Sequence, residues 1–338
     1  MKKKLMVVLG VTICLLLIKI PPAQAGLARM LSMGGVFLNV TTDASAAYFS
    51  PASLAFLDKT GFSISTGSET LECIPIYIYV FNNNRIYLEG YLPASYIISY
   101  TVPDTGFGAY GLYFHSYPER VSPSGYGVTD AHKTLAYTYA KKINDNISLG
   151  GTLKVDAWDG KRFYFTKEEV NGVQTTVWHV GAYRRGLSVI DLSVLLKPIE
   201  PLSVSMLIRN ANEPTVIWPA MGDDCAIKSM ILREIYVGAA FQPVDFLTLA
   251  WQIDNLERVT STGLSGRKLY DESNFGLEFV LGRFALRAGL HKRSLCYGAG
   301  LIFGNDEIKY FIDFGYGTWM INQKVDNQQM AFELSVKY

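Results

Sequence analysis

Metal ligands and reactive side chains are scarce in this chain of 338 residues, which has only four histidines and four cysteines. The histidines (His115, His132, His179 and His291) are scattered, and the cysteines keep no metal-site spacing. No Gly-x-Ser-x-Gly elbow is present to expose a nucleophile. The acid pairs Glu168-Glu169 and Asp223-Asp224 fall in stretches that read as solvated loops. No metal, cofactor or catalytic residue is therefore expected, and the chain does not read as an enzyme. Charged residues make up only 18% of the sequence, with no basic patch, which argues against a nucleic-acid partner. Past residue 25 no apolar run is long enough for a membrane helix, which needs about 20 residues.

The first residues read as a removable leader. Lys2, Lys3 and Lys4 precede the apolar stretch Leu5–Ile18, and Ala23-Gln24-Ala25 places small residues where a signal peptidase reads them. Cleavage is expected before Gly26. Losing the lysines at 2, 3, 4 and 19 leaves 27 basic against 30 acidic residues, a net of −3. Cys73, Cys225 and Cys296 stay in the exported chain; a Cys73–Cys225 bridge between loops is compatible with the sequence and not specified by it.

What the sequence does have is aromatic residues and glycine, with 21 Tyr, 18 Phe and 30 Gly, arranged with a period of two. Leu202, Val204, Met206 and Ile208 alternate with Ser203, Ser205 and Leu207; Leu247, Leu249, Trp251 and Ile253 oppose Thr248, Ala250, Gln252 and Asp254. Segments of about ten two-faced residues suit tilted membrane strands. Tight turns at 103–105, 143–146, 198–201, 242–245, 281–283 and 304–307 take turns with longer polar stretches near 68–85, 116–131, 158–172, 212–229, 257–271 and 317–327. Short periplasmic turns and longer outer loops are the pattern of an outer-membrane barrel. Because lipid offers no partner for a bare N–H or C=O, an exported chain without apolar helices crosses a membrane only as a closed barrel. The fold expected is all-β, a transmembrane antiparallel β-barrel of about 14 strands, with sixteen as the alternative. Two segments strain the count. Residues 173–197 form either one long strand bulged near Gly181–Gly186 or a hairpin, and the apolar run Ile74–Phe81 belongs to an outer loop or to the first strand.

The last strand is the sharpest local signal. Phe332, Leu334, Val336 and Tyr338 alternate with Glu333, Ser335 and Lys337, and the chain ends on an aromatic. That pattern fits the segment read by the barrel-assembly machinery. Residues 26–59 do not alternate. They are rich in small residues, with Asp43 and then Ser50-Pro51 as helix-start signals, which predicts two short helices broken at Pro51. Such an element lies in the periplasm or plugs the lumen.

The stretch Asp43-Ala-Ser-Ala-Ala-Tyr-Phe-Ser-Pro-Ala-Ser-Leu-Ala55 resembles the N-terminal signature of the long-chain fatty-acid transporter (FadL-like) superfamily, on the side of its PorV-like branch. The segments from Gly276 to Leu301 and Phe332-Glu-Leu-Ser-Val-Lys-Tyr338 are similar to the same group. The resemblance implies a leader (1–25), a luminal hatch (26–59) and an outer-membrane barrel (60–338). It implies a gating turn at Asp43, Ser50, Pro51 and Ala52, with Ser50 standing where the family has Asn. It further implies passive passage of a hydrophobic small molecule such as a long-chain fatty acid, in contact with outer-membrane lipid, or alternatively the anchoring of exported protein partners. For the ligand wall the sequence offers Ile76, Tyr77, Tyr79 and Phe81 with Ile217 and Trp218, which an aromatic girdle would explain equally well.

Overall fold

Alternation dictates the architecture. The computed structural model describes residues 28–68, 75–76, 90–91, 95–121, 128–170, 173–218, 227–257, 269–270, 272–292, 294–305, 307–321 and 324–338. The expected leader, Cys73 and Cys225 lie outside these residues. Strands β1 (Gly61–Ser68), β4 (Ser95–Val102), β5 (Ala109–Val121), β6 (Val128–Asn144), β7 (Ile147–Val170), β8 (Val173–Ile199), β9 (Leu202–Arg209) and β12 (Glu234–Val244) make one part of a closed wall. Strands β13 (Leu247–Ile253), β14 (Ser273–Leu281), β15 (Phe284–His291), β16 (Ser294–Gly304), β17 (Lys309–Ile321) and β18 (Lys324–Lys337) complete it. Fourteen antiparallel strands thus form one barrel, which settles the count against sixteen. Two small hairpins stand outside the ring: β2 (Pro75–Ile76) with β3 (Gly90–Tyr91), and β10 (Thr215–Trp218) with β11 (Ile227–Met230).

Closure occurs between the first and last strands. Phe62 pairs with Val336 on one side and Tyr100 on the other, and the Tyr338 N–H donates to the Thr60 carbonyl at 2.9 Å. No wall edge is left open, which is the condition lipid imposes. The two faces of the wall differ as the period of two requires. In β15, Phe284, Leu286, Ala288 and Leu290 point outward, while Ala285, Arg287, Gly289 and His291 are buried inside. In β7, Leu149, Leu153 and Val155 are exposed on the outside, opposite buried Ser148, Thr152 and Asp156. An outward apolar belt around a polar interior is the surface of a membrane-spanning barrel.

The turns at one end are short and chemically specified. Asp104 accepts from the backbone N–H of Gly106 (2.8 Å) and Gly108 (2.9 Å), which holds its carboxyl below the ordinary aspartate value. Asn305 does the same for Glu307 and Ile308. At the other end the expectation needs correction. The polar stretches 116–131, 158–172 and 317–327 are largely strand: β7 and β8 stay paired from Ile147↔Leu196 to Val170↔Val173. At 24 and 27 residues these strands are more than twice the roughly ten that span a bilayer. Residues 173–197 are one strand, in continuous register with β7 and without the bulge expected near Gly181–Gly186. Polar side chains mark where a strand leaves lipid, not where its ladder ends, so composition alone underestimates strand length.

Candidate functional site

The lumen is filled by the chain's own N-terminal segment. A short helix α1 (Ala28–Ser32) leads through a turn at Met33–Gly35 to a second turn at Leu38–Val40. A second short helix α2 (Ala46–Phe49) and a 3-10 turn (Pro51–Phe56) follow, with Pro51 at the first position of the turn. The two expected elements and their break at Pro51 are present. The segment is seated inside the barrel because both partners are small. Ala46, Ala47, Leu54 and Ala55 pack on Ala109, Tyr113, Ala136 and Ala140 of β5 and β6. Phe37, Leu38 and Phe49 pack on Ile97 and Leu207. Met33, Val36 and Val40 meet Ala240 and Ala250, and Ala28 and Leu31 meet Ala331.

Glycine decides how closely backbone meets wall. A Cβ on Gly289 would sit 2.2 Å from the Gly34 nitrogen, and one on Gly150 would sit 2.4 Å from the Ala52 nitrogen. Gly34 itself has φ +71°, a left-handed conformation costly for any residue with a Cβ.

Polar wall residues then satisfy the segment's backbone. Ser193 Oγ accepts from the Ala52 N–H at 2.8 Å, and Ser148 Oγ donates to the Ala52 carbonyl at 2.8 Å. Thr138 Oγ1 donates to the Ala47 carbonyl at 2.8 Å. Gln252 Oε1 accepts from Phe37 and Leu38 N–H at 3.1 and 3.2 Å. Asn39 bridges Ser203 and Ser205. Beneath α1 a charge network closes the fit: Arg29 Nη2 to Glu278 at 2.5 Å, Arg287 Nε to Glu278 at 2.6 Å, and Arg287 Nη1 to Asp313 at 2.5 Å.

A cavity of about 220 Å³ remains between the segment and β5–β9 and β12. Its aromatic walls are Tyr48 of α2, Tyr113 and Trp158; its polar walls include His115, Asp156, Asp191 and Arg209. The ring of Tyr48 stands edge-on to Tyr113, with centroids 5.0 Å apart.

The residues singled out from sequence fall into separate places. Asp43, Ser50, Pro51 and Ala52 are together in the lumen. The Asp43 carboxylate accepts from the Ser45 N–H (2.9 Å) and hydroxyl, one turn ahead of α2. Ser50 does not cap the turn that follows it. Its hydroxyl instead donates to the Leu38 carbonyl at 2.6 Å, because that buried acceptor has to be satisfied where the segment crosses itself. Ile76 lies in β2 and Ile217 and Trp218 in β10, apart from the closed wall; their side chains, and Tyr77, Tyr79 and Phe81 altogether, are outside the described residues. Phe332, Leu334 and Val336 lie on the outer face of β18, and Tyr338 closes its end. Glu168 and Glu169, expected in a loop, lie on β7 opposite Thr175 and Gln174. Arg209, Gln252, Ser148 and Ser193 were not singled out. A polar residue at an inward-facing register was the signal that would have found them.

No family model and no curated protein matches the chain. Solved structures do. A FadL homologue of Pseudomonas aeruginosa aligns with TM-score 0.58 and 12% identity over 95% of this chain and 99% of its own. The chain has the fold of the FadL-type outer-membrane transporters. The toluene transporter TbuX of Ralstonia pickettii gives TM-score 0.58 and 12% identity over 94% of this chain and 98% of its own. The monoaromatic hydrocarbon channel CymD gives the same TM-score of 0.58 and 12% identity, over 94% of this chain and 97% of its own. These alignments span almost the whole of each chain.

Proposed function

We propose that the chain is a passive outer-membrane transporter for hydrophobic small molecules. The observation that carries the reading is the lumen. Its centre is occupied by the N-terminal segment, yet an aromatic-walled cavity of about 220 Å³ is left beside it. An open water channel needs the reverse, a continuous polar bore. In this reading residues 26–59 are a hatch and the turn at Ser50-Pro51-Ala52 is its gate, with Asp43 setting the helix ahead of it. Toluene and monoaromatic hydrocarbons are the solutes named for TbuX and CymD; a long-chain fatty acid is the other hydrophobic class the N-terminal resemblance suggests. The apolar segments around Ile76–Phe81 and Ile217-Trp218 are proposed as the outer entrance.

The test is ligand binding by the refolded barrel, using toluene and a fluorescent fatty acid. Deleting residues 28–57 removes Tyr48 from the cavity wall and is expected to abolish saturable binding, whereas Pro51→Ala is expected to weaken it. Unchanged binding in both variants would contradict the gate assignment.

A second reading, a barrel that carries exported protein partners, is favoured by the β7–β8 hairpin, whose ladder continues far above a bilayer's thickness. Co-purification of a client that is lost when the hairpin tip is removed would support it. The C-terminal strand is proposed as the signal for the barrel-assembly machinery. Truncation after Leu334 removes Val336 and the Tyr338–Thr60 closure bond, and should leave little heat-modifiable, folded barrel on a gel.

A further inference from the structure

Around the cavity and beneath α1, most charged side chains have a hydrogen-bond or ion-pair partner among the described residues. Arg29 and Arg287 share Glu278 and Asp313. Lys154 holds Asp191 at 2.8 Å. Asp156 accepts from Thr134 at 2.7 Å and has His132 Nε2 at 3.5 Å. Glu234 accepts from the Tyr236 hydroxyl at 2.5 Å.

Arg209 is different. It lines the cavity, and its guanidinium makes no hydrogen bond or ion pair with any described residue; its Nη2 is buried with no partner. It is held in place by rings instead. The guanidinium lies 5.2 Å from Phe37, 5.5 Å from Tyr48 and 5.2 Å from Tyr236, one ring from the barrel wall and two from the N-terminal segment. Aromatic faces stabilise the cation but accept nothing from its in-plane N–H groups, and Nη2 is left buried without an acceptor. A charged N–H that is buried without an acceptor is costly, and Arg209 Nη2 is such a donor on the wall of a cavity that can admit one. Each of the three acids lining the cavity already accepts from a donor of its own, and none of them supplies the acceptor that Arg209 Nη2 lacks.

Size narrows the ligand. An apolar cavity of roughly 150 Å³ takes benzene, and drug-sized ligands need roughly 300 Å³ or more. The 220 Å³ here suits one ring with a small substituent, and not an extended acyl chain. We propose that the cavity binds a monocyclic aromatic carboxylate, its carboxylate on Arg209 and its ring beside Tyr48 and Tyr113. This rests on the transport reading for its setting and adds the solute's charge and size. A charge-assisted hydrogen bond between a guanidinium and a carboxylate forms in a fixed plane, which selects an acid over its ester.

Equilibrium dialysis of the refolded chain against benzoate, methyl benzoate and toluene tests this. Wild type should bind benzoate about tenfold or more tightly than methyl benzoate, the scale of a hydrogen bond to a charged group. Arg209→Gln should erase that preference, bringing benzoate and methyl benzoate to within about threefold of each other, within the context-dependence of such terms. Equal wild-type affinity for acid and ester, or a preference that survives Arg209→Gln, overturns the proposal. Should Arg209→Gln fail to refold, the wild-type preference decides alone. Uptake by whole cells separates this inference from the reading beneath it. Toluene uptake with no benzoate preference sinks the Arg209 site alone; benzoate binding with no uptake of any solute sinks the transport reading alone.

Discussion

Gly150→Val and Gly289→Val together should unseat the N-terminal segment and turn a barrel that passes little current into one that conducts ions steadily in a planar bilayer. Both glycines point inward at places where backbone touches backbone: the added Cβ atoms would fall 2.4 Å from the Ala52 nitrogen and 2.2 Å from the Gly34 nitrogen. The wall cannot yield. Gly150 is laddered to Ala140 and Ser193, and Gly289 to Gly276 and Cys296. The segment is held by side-chain hydrogen bonds and small-residue packing, so it is the part that lifts. Overpacking of this kind costs about 1–3 kcal/mol per site. Two sites act at opposite ends of the segment, so their costs add more nearly independently than those of neighbours would. Gly186→Val is the control. Its added Cβ would meet nothing nearer than 4.0 Å, and conductance should not change.

Arg287→Met should be the most destabilising single substitution in the lumen. The Arg287 guanidinium is bonded to both Glu278 and Asp313, and all three side chains are at most 8% exposed. Its removal strands Asp313 and leaves Glu278 with Arg29 alone. Removing one partner of a buried pair costs about 3–5 kcal/mol, because the remaining charge has neither water nor counter-ion. The measurement is the urea midpoint for unfolding from lipid vesicles. The triple variant Arg287→Met, Glu278→Gln, Asp313→Asn should recover much of the loss, since it removes the stranded charges as well. A single variant as stable as wild type would show that water reaches this network and screens it.

How much of this could be read from sequence depended on which force set each feature. The wall was legible because lipid permits one solution: the alternation in 202–208, 247–253 and 330–338 placed β9, β13 and β18 where they are. The strand number followed from the alternation of short turns and long connections. The tops of β7 and β8 were not legible. The ladder from Asp159↔Arg184 to Val170↔Val173 is held by main-chain pairing, which polar residues in the sequence do not reveal. The break at Pro51 was legible because proline lacks an N–H to donate, whereas the destination of the Ser50 hydroxyl was not. Leu38 lies twelve residues away in sequence, and only the crossing of the segment inside the barrel brings its carbonyl to Ser50. Arg209 went unnoticed for a similar reason. A lone arginine at a strand end is ordinary in sequence, and it becomes a site only when Phe37, Tyr48 and Tyr236 close around it.

The central claim is that a hydrophobic solute passes a barrel whose own N-terminal segment bars the way to ions. The direct measurement pairs two readings on the same full-length exported chain: labelled toluene uptake across the lipopolysaccharide-bearing outer membrane of a host lacking other such channels, and current through the purified protein in a planar bilayer. The account predicts saturable uptake with almost no current. Steady ionic current without any gain in toluene uptake would contradict it.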